Sequence, residues 1–235
     1  GKLLDKEGSV YKALYKGQNP LDFNFFEASS IRQVGNKYVM VFSGNSGPDY
    51  GLGSTNSALR YAFGDSPLGP WRSGGVLVDS RGVVPNEDGS KLTTTNAAHN
   101  THGSLEEING QWYVFYHRPP RGFGNARQAM VAPVEVSVTE GPGGKVVISE
   151  GEYTSEGFAI NGLDPFGKYS AGIACWYTGP QPARQEYPNF VVSGSYVQPL
   201  RTGENSNPVV NNTNGSVVGY KYFNLDRTKG MHGTL

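Results

Sequence analysis

The sequence has a single cysteine, Cys175, so no internal disulfide can staple it. In "AGIACWYTG" that thiol reads as a small buried hydrophobe, and one thiol leaves the redox compartment open. Charge is scarce too: only 17% of residues are charged, 20 basic against 20 acidic, with no Lys/Arg cluster or basic stripe. That balance removes the electrostatic reason to expect a nucleic acid or an anionic membrane as partner and favours a neutral ligand. No apolar run approaches membrane-spanning length, and no stretch carries a convincing amphipathic-helix periodicity. Gly1 follows neither an initiator Met nor a signal-like segment, which reads as a processed start or a fragment.

What is abundant is Gly (33), Pro (15) and Tyr (14), the profile of short strands joined by many turns. The chain also repeats itself. "SIRQVGNKYVMVFS" (Ser30 to Ser43) aligns without a gap with "SLEEINGQWYVFYH" (Ser104 to His117). In each copy an apolar-patterned strand meets a Gly-Asn or Asn-Gly pair and an aromatic, β-branched strand follows, which is a hairpin signature because Gly and Asn tolerate positive φ. Further strands are expected in "SVYKALYKG", "ALRYAFGDS", "QAMVAPVEVSV" and "GKVVISE", with turns at "SPLGPW" and "EGPGG". Repeated multi-strand units with uneven insertions suggest the blades of a β-propeller, each delivering one inner strand to a shared cavity. Composition shifts at the linker-like "YTGPQPARQEYPNF", and the rest ends in the strand-like "VVGYKYFNLD". The sequons at Asn211 and Asn214 carry no functional weight.

One carboxylate stands out. In "FNFFEASSIRQ", Glu27 follows two phenylalanines and opens the first repeat. Flanking Phe25 and Phe26 would partly desolvate it and raise its pKa toward the range of a general acid, although a glutamate at a strand end is more often simply solvated. The repeat puts Glu27 opposite Thr101 and Ala28 opposite His102; if these strands line a central cavity, Glu27 and His102 point into it, and His102 reads either as a cavity ligand or metal-site residue or as a polar group hydrogen-bonded near a turn. His99 is an odd number of residues from His102, which on a strand sends the two rings to opposite faces and argues against a two-His zinc site. Arg118, Arg121 and Arg127 fall in "HRPPRGFGNARQAMVAP"; Arg127 leads into an apolar strand and is either paired with a carboxylate or aimed at a ligand. Trp71 and Trp176 read as core anchors rather than sugar platforms.

Four segments in order, "FFEASSIRQVGNKYVMVFSG", "LRYAFGDSPLGPW", "NTHGSLEEINGQWYVFYHR" and "ARQAMVAPVEV", resemble the later blades of glycoside hydrolase family 43, five-bladed propellers that include arabinofuranosidases and xylosidases. "NGSVVGYKYFNLD" looks like the start of a family 6 type carbohydrate-binding module. The resemblance implies an all-β fold: the C-terminal part of a propeller glycosidase domain over 1–180, then a linker and the beginning of a β-sandwich module over 181–235. It implies Glu27 as the general acid, with Phe26, His102 and Arg127 as substrate-binding residues and His102 near a structural calcium ion. It further implies inverting hydrolysis of arabinofuranosyl or xylosyl linkages in plant cell-wall oligo- or polysaccharide, no nucleic-acid or membrane partner, and a secreted or periplasmic protein.

One departure follows. The family's base aspartate and pKa-tuning aspartate precede the "FFE" segment, and the only aspartates ahead of Glu27 are Asp5 and Asp22, in unlike contexts. Both carboxylates are therefore expected on chain beyond these residues. A non-catalytic carbohydrate-binding propeller that has lost the base is the alternative. These 235 residues alone are expected to be inactive, because an acid without its water-activating partner loses most of the rate enhancement. Glycosidase turnover by this chain, abolished by Glu27→Gln, would overturn that expectation.

Overall fold

A computed structural model describes residues 18–46, 56–85, 92–94, 101–120, 127–178, 184–186, 191–198 and 207–228. The expected strand at "SVYKALYKG", together with Asp5, His99 and Arg121, lies outside the described residues. Among the described residues there is no α-helix, as the turn-rich composition anticipates.

After a 3-10 turn at Pro20–Phe23 come β1 (Phe25–Val34), β2 (Lys37–Gly44), β3 (Ala58–Gly64) and β4 (Arg72–Asp79), paired in that order as one antiparallel sheet. A short hairpin of β5 (Val83–Pro85) and β6 (Leu92–Thr94) precedes a second antiparallel sheet of β7 (Ser104–Ile108), β8 (Gln111–Arg118) and β9 (Gln128–Val134). β10 (Val136–Val138) then pairs with β11 (Val146–Ile148). The last strands are β12 (Trp176–Thr178), β13 (Arg184–Glu186), β14 (Val191–Ser193), β15 (Tyr196–Val197), β16 (Val209–Val210) and β17 (Val217–Gly219).

Both repeats form the hairpins read from the sequence. Val34 pairs with Lys37 across Gly35-Asn36, and Ile108 with Gln111 across Asn109-Gly110. Gly35 has φ +59°, and Asn109 and Gly110 have φ 52° and 82°, the left-handed values a two-residue hairpin turn demands.

The two sheets bury one face each against the other. Val39, Val41, Leu59, Tyr61 and Leu77 of the first join Leu105, Val114, Tyr116, Ala132 and Val134 of the second in one cluster, extended by Val146, Ile148, Tyr153 and Cys175. The opposite face of the first sheet carries its own cluster of Phe23, Phe25, Met40, Phe42, Ala62 and Trp71. Strand β3 is therefore buried along its whole length, with no in-and-out alternation. Trp71 is a core anchor as read, and Trp176 is half-buried at the edge of the first cluster.

Arg118 is fully buried and ties the second sheet to the chain that follows it. Its Nε donates to Gln128 Oε1 at 2.9 Å and its Nη2 to the Gly172 carbonyl at 3.0 Å, with Tyr153 and Tyr177 stacked at 5.7 and 5.2 Å from the guanidinium. Beyond it, β13, inside the segment whose composition suggested a linker, pairs with β14 just after that segment, and β12 pairs with β17. The Val197 N–H donates to the Pro120 carbonyl at 3.0 Å, and Leu163 bridges to Phe223. No helix among the described residues is long and apolar enough to cross a membrane.

Leu105 sits in the packing between the sheets with no exposed surface. In the full-length protein Leu105→Ala should lower unfolding free energy by about 2–5 kcal/mol. Val147→Ala, at a side chain 56% exposed, should change it by less than about 0.5 kcal/mol; denaturant titration of both checks the pair.

Candidate active site

Glu27 does not sit on a regular stretch of strand. The pairing of β1 with β2 shifts register on both sides of Glu27↔Ser43, and Ala28 has φ 55°. This is a β-bulge, formed where the chain passes from bulky Phe25-Phe26 into small Ala28, Ser29 and Ser30. A bulge re-aims side chains, and here it turns Glu27 toward the segment that enters β7.

There, Glu27 Oε1 lies 3.0 Å from His102 Nε2. Both side chains are partly exposed, 41% and 38%, so the pair lies at an accessible surface. If Glu27 is ionised, the imidazole N–H donates; if Glu27 carries the proton, its O–H donates to a neutral imidazole nitrogen. The contact therefore survives both states through which a general acid must cycle.

The enclosure expected from the two phenylalanines does not form. Neighbours on a strand point to opposite sides, so Phe25 enters the second core cluster, its ring 5.2 Å from Phe42, while Phe26 is 43% exposed. Phe26 thus offers a surface beside Glu27 rather than a wall around it.

His102 owes its place to the residues on either side of it. Thr101 is fully buried; its Oγ1 donates to the His117 carbonyl at 2.9 Å and accepts from the His117 N–H at 3.3 Å. At Gly103 a Cβ would come within 1.8 Å of the Phe115 carbonyl oxygen, so only glycine permits this approach. Two further contacts draw β1 and β7 together: Ser30 Oγ donates to the Gly103 carbonyl at 3.4 Å, and Arg32 Nε to Glu106 Oε1 at 2.6 Å.

His117, at the end of β8, was not singled out from the sequence. Its Nε2 accepts from the His102 main-chain N–H at 3.0 Å and from Arg127 Nη1 at 2.9 Å. Both partners are donors, so Nε2 is unprotonated and the ring proton is on Nδ1, which is buried and finds no partner among the described residues. Burial, then the Arg127 charge, then His102 lower its pKa to about 4. The repeat contained the missing signal: His117 occupies the place of Ser43, the residue that pairs with Glu27, just as Thr101 occupies the place of Glu27.

All four residues named from the sequence are thus in view: Glu27 and His102 touch, Arg127 joins them through His117, and Phe26 flanks the acid. Other acidic groups are differently placed. Asp22 is exposed in the first turn, and Asp79 is buried against Arg81, with Nε and Nη2 at 2.9 and 2.8 Å, and Ser46 Oγ at 2.9 Å. A calcium ion at His102 is not matched by the described residues. Calcium takes several oxygen ligands, His102 offers a ring nitrogen already facing Glu27, and no group of three His, Cys, Asp or Glu converges among the described residues.

No family model matches the chain. Among curated proteins it is similar to a xylosidase/arabinosidase of Thermoclostridium stercorarium, 27% identical over 212 residues, covering 88% of this chain and 42% of that protein. It is also similar to a xylosidase/arabinosidase of Bacteroides ovatus, 30% identical over 115 residues, covering 49% of this chain and 26% of that protein. A solved glycoside hydrolase family 43 arabinoxylan arabinofuranohydrolase from Bacillus subtilis aligns at TM-score 0.41 and 19% identity, over 74% of this chain and 35% of that one. This chain spans less than half the length of either curated relative.

Two outcomes follow from this geometry. Gly103→Ala should cost about 1–3 kcal/mol of stability, measured by denaturant unfolding, because the added methyl must displace the Phe115 carbonyl or the His102 segment. The second concerns acid. Between about pH 6.5 and pH 4 an unfolded chain takes up a proton at His117 that the folded protein, with Arg127 and His102 against the ring, refuses. Stability should fall as pH drops through that window, and His117→Gln should make the fall shallower; unfolding midpoints across the window measure it.

Proposed function

We propose that the protein of which this chain is part is a glycoside hydrolase of the family 43 type, built on a five-bladed propeller, with Glu27 as its general acid. The contact between Glu27 and His102 carries this reading: a carboxyl at an accessible surface, held by a group that can serve it in either protonation state. The curated relatives, named xylosidase/arabinosidase, support it, and in this reading the substrate is a xylosyl or arabinofuranosyl linkage in plant cell-wall polysaccharide. Such polymers cannot cross a membrane, so the protein is read as secreted or periplasmic.

In this reading Glu27 protonates the departing glycosidic oxygen while a second carboxylate, about 6.5–9.5 Å away across the sugar, directs water to the anomeric carbon with inversion. The proposal assigns that carboxylate to the remainder of the protein. Arg127, exposed beside His117, supplies N–H donors for sugar hydroxyls, and Phe26 an apolar face against which a sugar can lie. The proposal stops at the hydrolase domain, because β17, within the stretch first read as a carbohydrate-binding module, pairs with β12.

The test uses the full-length protein. Glu27→Gln should lower kcat about 10²–10⁴-fold on natural glycosides while leaving substrate affinity nearly unchanged. On aryl glycosides whose leaving group needs no proton, the loss should shrink markedly. Equal losses on both substrates, or a matching loss of affinity, would make Glu27 a sugar contact and favour a binding protein.

A further inference from the structure

We propose that His117 is the positioning residue of this site: through one nitrogen it holds both the His102 main chain and the Arg127 side chain in place around Glu27. The inference rests on the reading of Glu27 as the acid and adds to it the group that orders the residues around it.

Three separate segments meet at His117 Nε2. His102 comes from the loop entering β7, Arg127 from the residue before β9, and His117 itself from the end of β8. Neither hydrogen bond belongs to a sheet ladder, so β pairing alone would not make them. Arg127 is exposed and has long side-chain freedom, and a bond to a ring anchored in a strand removes much of it. His102 gains the complementary constraint on its backbone while its ring reaches Glu27 at 3.0 Å.

The ring is also kept in the form this task needs. A protonated Nε2 could accept from neither partner, and the burial and the Arg127 charge that, together with His102, hold the His117 pKa near 4 keep it unprotonated. Meanwhile Nδ1 is buried without a partner among the described residues, an arrangement that a purely structural side chain would avoid, since an apolar ring of similar size would fill the space without it. The edge-to-face contact of the two imidazoles, 5.6 Å between centroids, fixes the plane of His102 as well.

The experiment compares His117→Phe, which fills the space without an acceptor, with His117→Gln, which restores an acceptor oxygen, in the full-length enzyme on a substrate with a poor leaving group. His117→Phe should lower kcat/KM at least tenfold, with both a higher KM from a loosened Arg127 and a lower kcat from a displaced His102. His117→Gln should recover most of that loss. In combination with Arg127→Ala, His117→Phe should add little further increase in KM, because both changes remove the same interaction. A kcat/KM within twofold of wild type for His117→Phe would overturn the proposal. So would His117→Gln performing no better than His117→Phe, or fully additive effects with Arg127→Ala. Glu27→Gln is assayed alongside. If it is inactive while His117→Phe is unimpaired, only the positioning role fails; if it retains wild-type kcat, the acid assignment fails and the positioning role falls with it.

Discussion

Strands β1 and β7 lie side by side, and three polar contacts advance in the same sense along both: Glu27 with His102, Ser30 with Gly103, Arg32 with Glu106. These are the leading strands of the two repeats, and no ladder joins them, since they belong to different sheets. What keeps them adjacent is the apolar packing of the sheets behind them, centred on Val39, Leu59, Leu105 and Val114. The non-directional burial of those side chains sets the spacing, and the polar contacts set the alignment. The candidate site stands at one end of this line and depends on both.

Two local distortions convert that framework into a site. The bulge at Glu27 lifts one carboxyl out of the strand pattern, and Gly103 lets the opposite segment pass against the Phe115 carbonyl. Ala28 at φ 55° and the tight approach at Gly103 are unfavourable for ordinary chain, and both fall within one residue of the Glu27–His102 contact. Rigid sheets carry the distortions without loss of register further along.

The electrostatics divide by depth. Arg118, buried among Tyr153 and Tyr177, is a fixed structural cation that fastens β8 to Gly172, whereas Arg127, a few residues on, stays at the surface with His117 beneath it. His117 lies between them in character: half-buried, neutral in the folded protein, and an acceptor for two donors. Its neutrality places a positive guanidinium at the surface without a second positive charge under it.

The sequence by itself determined much: the all-β composition, both hairpins with their Asn and Gly turns, the buried Cys175 and Trp71, and the prominence of Glu27, His102 and Arg127. These follow from local causes, since alternation, turn chemistry and residue type act over a few neighbouring positions. Only the tertiary structure decided that Phe25 and Phe26 leave Glu27 half-exposed, that His102 meets its carboxyl, that β17 pairs with β12, and that His117 joins the two halves of the site. Each of these depends on contacts between residues far apart in the chain, and the packing of one sheet on another, not any local preference, chooses which of them meet.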